Sequence, residues 1–174
     1  DYLIFTNIDI APMPFFYQAL NQLLADGRDA LTINRRTISS TPNTPDRLVE
    51  MYTQAGKTHP GHDCFVFPRA WVPELILGEI VTGVPWIGLC LLANLACKGR
   101  NVDVIADAHL TFHLGDDQAW SSADDEPYRV HNTHHAKLVL DGLQARYGAF
   151  PKESYLGQHV LLAERQLAAF YAKV

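Results

Sequence analysis

The stretch DYLIFTNIDIAPMP, residues 1–14, decides the predicted fold. Its apolar run, residues 2–5, predicts a buried strand, and the two prolines that follow stop this strand before a helical pattern begins. Asn7 and Asp9 stand two residues apart, so in an extended chain their side chains point to the same side. The stretch therefore predicts a strand that ends in an amide and a carboxylate, at the edge of the sheet where ligands of α/β proteins bind.

Asn7 and Asp9 have two interpretations. Oxygen atoms from an amide and a carboxylate are suitable ligands for one hard divalent cation. The same residue types also form an ordinary Asx turn that closes a strand. The spacing alone leaves both interpretations open.

Strand and helix patterns alternate along the rest of the chain. They predict an α/β fold with a mainly parallel or mixed sheet flanked by helices, in which residues 2–5 form an inner strand. We predict a single α/β domain over residues 1–174. The chain has no initiator Met and begins inside an apolar strand, which indicates a fragment of a longer protein. The predicted helices include residues 15–26, 87–97 and 154–172, and residues 133–146 with Asn132 as the N-terminal cap. The predicted strands include residues 29–34, 64–67 and 102–105.

Composition narrows the class of partner and compartment. The net charge is −5 and no basic stripe occurs, which argues against nucleic acid as a partner. The three cysteines show no paired spacing, which is typical of buried thiols in a reducing compartment, and we predict a cytoplasmic protein. No apolar run reaches the length of a membrane span, so we predict no transmembrane segment.

Other polar and aromatic residues carry two interpretations each. Arg35 and Arg36 follow the second predicted strand and form either a solvated rim or a clamp for a phosphate anion. Asp63 lies where a loop enters a strand and is either structural or catalytic. Trp86 begins an apolar helix and is either a core residue or a platform for a sugar ring.

Two histidine groups suggest metal ligands. His113 ends a predicted strand, and its imidazole together with Asn7 and Asp9 would suit Mn²⁺ or Mg²⁺. His131 and His135 lie four residues apart, but no His-Glu-x-x-His pattern is present, so a zinc site and a solvated helix start both stay open.

A resemblance to a known family of enzymes depends on four stretches, which follow one another along the chain in this order: FTNIDI, HDCFVFPR, GVPWIG and FHLGDDQAW. With them the chain resembles the C-terminal part of a GT-A-fold glycosyltransferase, over about residues 1–120, and the N-terminal half of that fold would precede Asp1. In that fold an Asp-x-Asp-type motif ends a central strand and holds a metal on the donor diphosphate. Asn7 and Asp9 are similar to this motif, with Asn in the first acidic position. His113 is similar to the His that completes the metal site in several families of the fold.

The resemblance implies metal-assisted transfer of a sugar from a nucleotide-sugar donor to a hydroxyl of a glycan or small-molecule acceptor. Mn²⁺ or Mg²⁺ would neutralise the leaving diphosphate. The base or sugar-orienting carboxylate would be Asp63, Asp116 or Asp117. The substrate-binding residues would be Asn7, Arg35, Arg36, Trp86 and Trp120, and the metal ligands Asn7, Asp9 and His113.

Two alternatives remain: a divalent-metal phosphoester hydrolase that uses Asp9 and His113 with the His131–His135 pair, or a non-catalytic anion-binding module. Two geometric predictions follow. In a shared metal site, the side-chain atoms of Asp9 and His113 should lie within about 5–6 Å. Asp63 should face the same cleft, partly open to solvent, if it is functional; if structural, it should accept backbone N–H bonds within its loop.

Overall fold

The computed structural model describes residues 1–59, 61–115, 123–150, 152–153 and 155–171. The chain divides into two compact units. The first comprises Asp1–Pro68 and Asn101–Gln118, and the second comprises Arg69–Arg100 and Ala119–Val174. The packing within each unit does not test whether residues 1–174 form one domain, so that statement stays a prediction.

The described part of the first unit contains two mixed sheets, two α-helices and a 3₁₀ helix (Pro45–Arg47). Along the chain its elements are β1 (Tyr2–Thr6), β2 (Ala11–Pro12), α1 (Phe16–Ala25), β3 (Ala30–Ile33), β4 (Arg35–Ile38), α2 (Leu48–Thr53), β5 (Lys57–Thr58), β6 (Cys64–Pro68), β7 (Val102–Ile105) and β8 (Thr111–Leu114). One sheet has the order β1-β6-β3-β7, and the other has the order β2-β8-β4-β5. Each sheet combines two antiparallel pairs with one parallel pair. The fold is therefore α/β with mixed sheets flanked by helices.

The position of β1 corrects the prediction of an inner strand. β1 is the terminal strand of its sheet and pairs antiparallel with β6. Tyr2, Leu3 and Ile4 leave 43%, 38% and 38% of their surfaces exposed. The prediction is wrong because an apolar run indicates only that a strand suits burial; the strands that pair with it decide whether it is buried. Here β6 lies between β1 and β3, so these two strands run in the same direction without being neighbours.

Helix α1 covers the first sheet through a stripe of apolar side chains. Phe16 and Leu20 are each 3% exposed and pack against residues of β3 and β6. Residues three to four apart share one face of a helix, which is the pattern that predicted this element. This core consists of Phe16, Leu20, Leu31, Ile33, Cys64, Val66 and Leu110. The second sheet has its own small core, formed by Met13, Ile38, Met51 and Phe112.

The second unit is built from a 3₁₀ helix (Arg69–Glu74) and the helices α3 (Ile87–Lys98), α4 (Glu126–Tyr147) and α5 (Tyr155–Tyr171). Its core includes Cys90, Ala93, Ala136, Val139, Leu140, Leu143, Phe150, Val160 and Leu167. Helix α4 starts seven residues before the predicted start, after a 3₁₀ turn (Ala123–Asp125) and with proline in its first turn. No helix in the described part of the chain is long and apolar enough to span a membrane.

Candidate functional site

Strand pairing in the first unit brings Asn7 and Asp63 together. β1 and β6 are antiparallel and Thr6 is paired with Cys64, so the residues just outside the pair meet at one end of the ladder. The Nδ2 atom of Asn7 lies 3.5 Å from Oδ1 of Asp63. The Thr6 hydroxyl donates a hydrogen bond of 3.1 Å to the backbone carbonyl of Asp63. The polar end of β1 and the polar start of β6 therefore form one cluster.

The other sheet adds a histidine to this end of β1. The chain turns after β1, with the Ile10 amide donating to the Asn7 carbonyl, and β2 then pairs antiparallel with β8. Oδ2 of Asp9 lies 3.1 Å from Nε2 of His113, although the two residues are 104 positions apart. The prediction that their side-chain atoms approach within about 5–6 Å is confirmed.

A backbone carbonyl determines the tautomer of His113. Its Nδ1 lies 2.8 Å from the carbonyl oxygen of Gly115, and because a carbonyl only accepts, Nδ1 carries a proton. The Nε2 atom then faces the Asp9 carboxylate. A neutral ring and an ionised carboxylate would place two acceptors against each other there, so this contact requires either a proton between the two atoms or a cation that both groups bind.

The backbone conformation at position 115 favours glycine over every other residue. Its φ of +73° lies in the left-handed region, and a Cβ atom would approach Cβ of Ser40 to 3.3 Å. Its amide donates to the Ile38 carbonyl at 2.8 Å, which ties the turn to β4. The carbonyl that orients His113 is thus presented by a turn that a larger residue would strain. The glycine directly after the His-Leu pair was the available sequence signal for this role.

The donor set is compatible with an open divalent-metal site. The His113 imidazole is buried at 5% exposure, whereas the Asp9 side chain is 53% exposed and reaches solvent. An imidazole nitrogen with carboxylate and amide oxygens suits Mn²⁺ and tolerates Mg²⁺. Among the described residues no group of three or more His, Cys, Asp or Glu is arranged to hold a metal. The candidate site has two such residues, with the Asn7 amide as the third possible ligand.

Asp63 is buried beside a cation. Its side chain is 11% exposed, and its Oδ1 lies 3.5 Å from Nη1 of Arg35, whose side chain is 12% exposed. Burial raises the pKa of the Asp63 carboxyl, and the nearby positive charge of Arg35 opposes this shift. Within the described part of the chain, Oδ2 of Asp63 and Nε of Arg35 are buried without hydrogen-bond partners. The carboxylate is therefore less open than the functional prediction required, and its recorded partners are side chains. The catalytic role stays a prediction.

The loop before β6 is held by polar residues whose role the sequence analysis did not recognise. The Thr32 hydroxyl lies 2.7 Å from Nδ1 of His62, and the Asn34 amide donates to the His59 carbonyl. Thr32 lies in β3, and Asn34 follows this strand directly. Thr32 is fully buried within an otherwise apolar strand, and this single polar position was the available signal. These bonds fix the loop that delivers Asp63.

The two arginines of β4 have different surroundings. Arg35 faces Asp63, whereas Arg36 donates to the carbonyls of Ala55 and Gly56 and to the Thr58 hydroxyl. Neighbouring residues of a strand point to opposite faces, so the structure does not bring the two guanidinium groups together. The contacts of Arg36 favour a structural role, in which it ties β5 to β4.

The remaining candidates belong to the second unit or lie outside the described residues. Trp86 belongs to the second unit, where its Nε1 donates to the Thr133 hydroxyl at 2.9 Å and its ring packs against the helical core. These contacts favour the core interpretation. Asp116, Asp117 and Trp120 lie outside the described residues. The His131–His135 pair also belongs to the second unit.

Comparisons of the chain with protein-family models, curated proteins and solved structures found no significant match. The glycosyltransferase resemblance therefore stays a prediction from sequence motifs.

Proposed function

We propose that this chain carries the metal-binding part of a glycosyltransferase-like active site, which transfers a sugar from a nucleotide-sugar donor to an acceptor hydroxyl. The contact of 3.1 Å between Asp9 and His113 supports the proposal most directly, because the two predicted ligands meet across 104 residues of sequence. Asn7 and Asp63 lie at the same end of β1, which supports one common site. The acceptor is a glycan or a small molecule with a free hydroxyl.

Asp9 and Nε2 of His113 would hold the cation, with the amide oxygen of Asn7 as a further ligand. A bound Mn²⁺ or Mg²⁺ supplies positive charge against the leaving diphosphate. The Gly115 carbonyl keeps the proton of His113 on Nδ1, so the Nε2 lone pair is directed at the site. The exposed position of Asp9 leaves room for phosphate oxygens to approach the same cation.

Asp63 is proposed as the proton acceptor. In the transfer step the acceptor oxygen bonds to the anomeric carbon, the bond from that carbon to the diphosphate breaks, and the bonding electron pair leaves with the diphosphate. The hydroxyl proton passes to the Asp63 carboxylate. Burial raises the pKa of this carboxyl, which makes it a stronger base than an exposed aspartate. Arg35 keeps the carboxylate positioned through the contact of its Nη1 atom with Oδ1 of Asp63.

The proposal is tested by Mn²⁺ binding, followed through the electron paramagnetic resonance signal of free Mn²⁺, with and without UDP, GDP or ADP. We expect Asp9→Asn and His113→Ala each to weaken binding by about tenfold or more, because the loss even of a group that only orients a metal ligand costs about 10–100-fold. Asp46→Asn is the matched control, because this carboxylate of the first unit is exposed and distant in sequence from the site. It should bind as the parent chain does.

Absence of Mn²⁺ binding by the parent chain, or binding that survives both Asp9→Asn and His113→Ala, would overturn the proposal. Binding of a nucleoside diphosphate without metal and without dependence on Asp9 would instead favour the anion-binding module. Release of nucleoside diphosphate from a panel of nucleotide sugars then tests turnover. Asp63→Asn should lower it by about 10²-fold or more while Mn²⁺ binding is retained.

A further inference from the structure

Helix α4 of the second unit presents two histidines on one face. His131 and His135 are four residues apart, which is the spacing that stacks side chains along a helix. Their ring centroids are 4.3 Å apart and the ring planes are inclined by 32°. Two imidazoles held this close are preorganised as a pair, because the helix backbone fixes both attachment points.

Both rings direct Nε2 at the same residue, Glu79. Nε2 of His131 lies 2.8 Å from the Glu79 backbone carbonyl, and Nε2 of His135 lies 3.7 Å from the Glu79 carboxylate. The Glu79 side chain is 81% exposed, so its carboxylate can rotate in solvent, while the His135 side chain is only 17% exposed. One imidazole of the pair thus lies near the Glu79 carboxylate, and the other is bonded to the backbone carbonyl of the same residue.

We propose that His131, His135 and Glu79 form a binding site for a divalent transition metal that prefers imidazole, of the class of Zn²⁺, Ni²⁺ and Cu²⁺. Two histidines at this spacing on a helix face bind zinc in many proteins, and a carboxylate oxygen is an accepted third ligand. Water completes the coordination of such an open site. The proposal is independent of the transfer activity proposed for the first unit.

Binding requires a small rearrangement. In the part of the chain that the structure describes, no three such ligands already surround a common point. The Nε2–H of His131 donates to the Glu79 carbonyl, so this proton moves to Nδ1 when the metal takes its place on Nε2. The Glu79 carboxylate then turns from solvent towards the two rings.

A purely structural role explains only part of this arrangement. The Asn132 amide bonds to the backbone of Val81 and Pro85, and the Thr133 hydroxyl accepts from Trp86, so α4 already holds the segment that follows Glu79. The bond from His131 to the Glu79 carbonyl belongs to the same set. The contact between His135 and the Glu79 carboxylate, at 3.7 Å, is longer than a hydrogen bond and adds little to that attachment.

The test is calorimetric titration of the full chain with ZnCl₂ at pH 7.5, combined with ¹H–¹⁵N spectra of the imidazole rings. We expect His135→Ala to weaken Zn²⁺ binding at this site by about tenfold or more, and Glu79→Gln to weaken it by a smaller factor. Asp141→Asn is the matched control: it removes an exposed carboxylate of the same helix that is paired with Lys137, and it should leave binding unchanged. Zinc should shift the ring signals of His131 and His135 in the parent chain.

His131→Ala removes a bond that also holds the structure, so His135→Ala and Glu79→Gln decide the outcome. His113→Ala separates the two sites, since it should weaken Mn²⁺ binding in the first unit without moving the zinc shifts of His131 and His135. Zinc binding that is equal in the parent chain and in His135→Ala would overturn the proposal. So would the absence of zinc-induced shifts at both rings up to millimolar zinc.

Discussion

Strands β1 and β6 are both short and apolar and are paired residue for residue, yet their surroundings differ. β6 lies between β1 and β3, and its residues Phe65 and Val66 are each 1% exposed. β1 lies at the edge, and Ile4, the partner of Val66, is 38% exposed. The difference teaches that a hydrophobic run identifies a strand, whereas burial depends on how many strands and helices cover it.

The polar residues at the joined ends of the two strands differ in the same way. Asp9, beyond the end of β1, has a side chain that is 53% exposed, whereas Asp63, before the start of β6, is 9% exposed as a residue. Burial raises the pKa of the Asp63 carboxyl. The edge strand therefore leads to an accessible carboxylate, and the inner strand begins next to a buried carboxyl whose pKa is raised.

The largest effect is expected for aromatic truncation. Phe65→Ala should lower the free energy of unfolding by about 3–5 kcal/mol, because it leaves a cavity in a packed core. Phe5→Ala is the matched control, since Phe5 is the direct partner of Phe65 in the ladder and is only partly buried. Phe5→Ala should lower the free energy of unfolding by about 1–2 kcal/mol, because it buries less apolar surface and loses the ring contact with Phe65. Urea denaturation measures the free energy of unfolding of both variants. An equal decrease in the two would contradict the difference in burial between the two strands.

A smaller effect is expected when a hydroxyl is introduced. Val66→Thr nearly preserves volume and strand propensity but buries a polar group, which should cost about 1–3 kcal/mol. Ile4→Thr places the same side chain at the paired edge position, where water can solvate the hydroxyl, and should cost less than about 1 kcal/mol. Urea unfolding of the two variants compares them directly. A larger decrease in the free energy of unfolding for Ile4→Thr than for Val66→Thr would show that β1 is covered in solution.

The smallest effect concerns the buried carboxyl group of Asp63, whose influence on the free energy of unfolding depends on pH. Because the fold raises the pKa of Asp63 above its unfolded value of about 3.9, the ionised form opposes folding, and this penalty grows as pH rises through the raised pKa. Asp63→Asn should therefore stabilise the chain at pH 7 relative to the parent. The difference should disappear below about pH 4, where Asp63 is neutral in both states.

Asp46→Asn is the control for this pH dependence, because its carboxylate is exposed and lies outside the candidate site, and it should change stability little at either pH. Unfolding at pH 7 and pH 3.5 measures the differences. If Asp63→Asn destabilised the chain at pH 7, the contact with Arg35 would outweigh the cost of burying the charge.

Local sequence patterns were sufficient to predict many of the helices and strands. The helical stripe of residues 15–26 became α1 (Phe16–Ala25), and the apolar run of residues 64–67 became β6 (Cys64–Pro68). The start of α4 was misjudged, because Asn132 suits a helix cap in sequence. In the structure Asn132 is buried inside the helix, where its amide bonds to Val81 and Pro85. A cap and a buried amide use the same residue type, and only distant partners distinguish them.

By itself the sequence determined the α/β class, most of the strands and helices, and the polar residues that end the strands, because propensity and periodicity act over a few neighbouring residues. Tertiary structure decided that β1 lies at an edge and that β6 separates it from β3. It also decided that Asp63 is buried and that Asp9 meets His113. These features depend on which strands pair across the whole chain, and that choice is settled by the competition of all apolar surfaces for burial, which no local pattern contains.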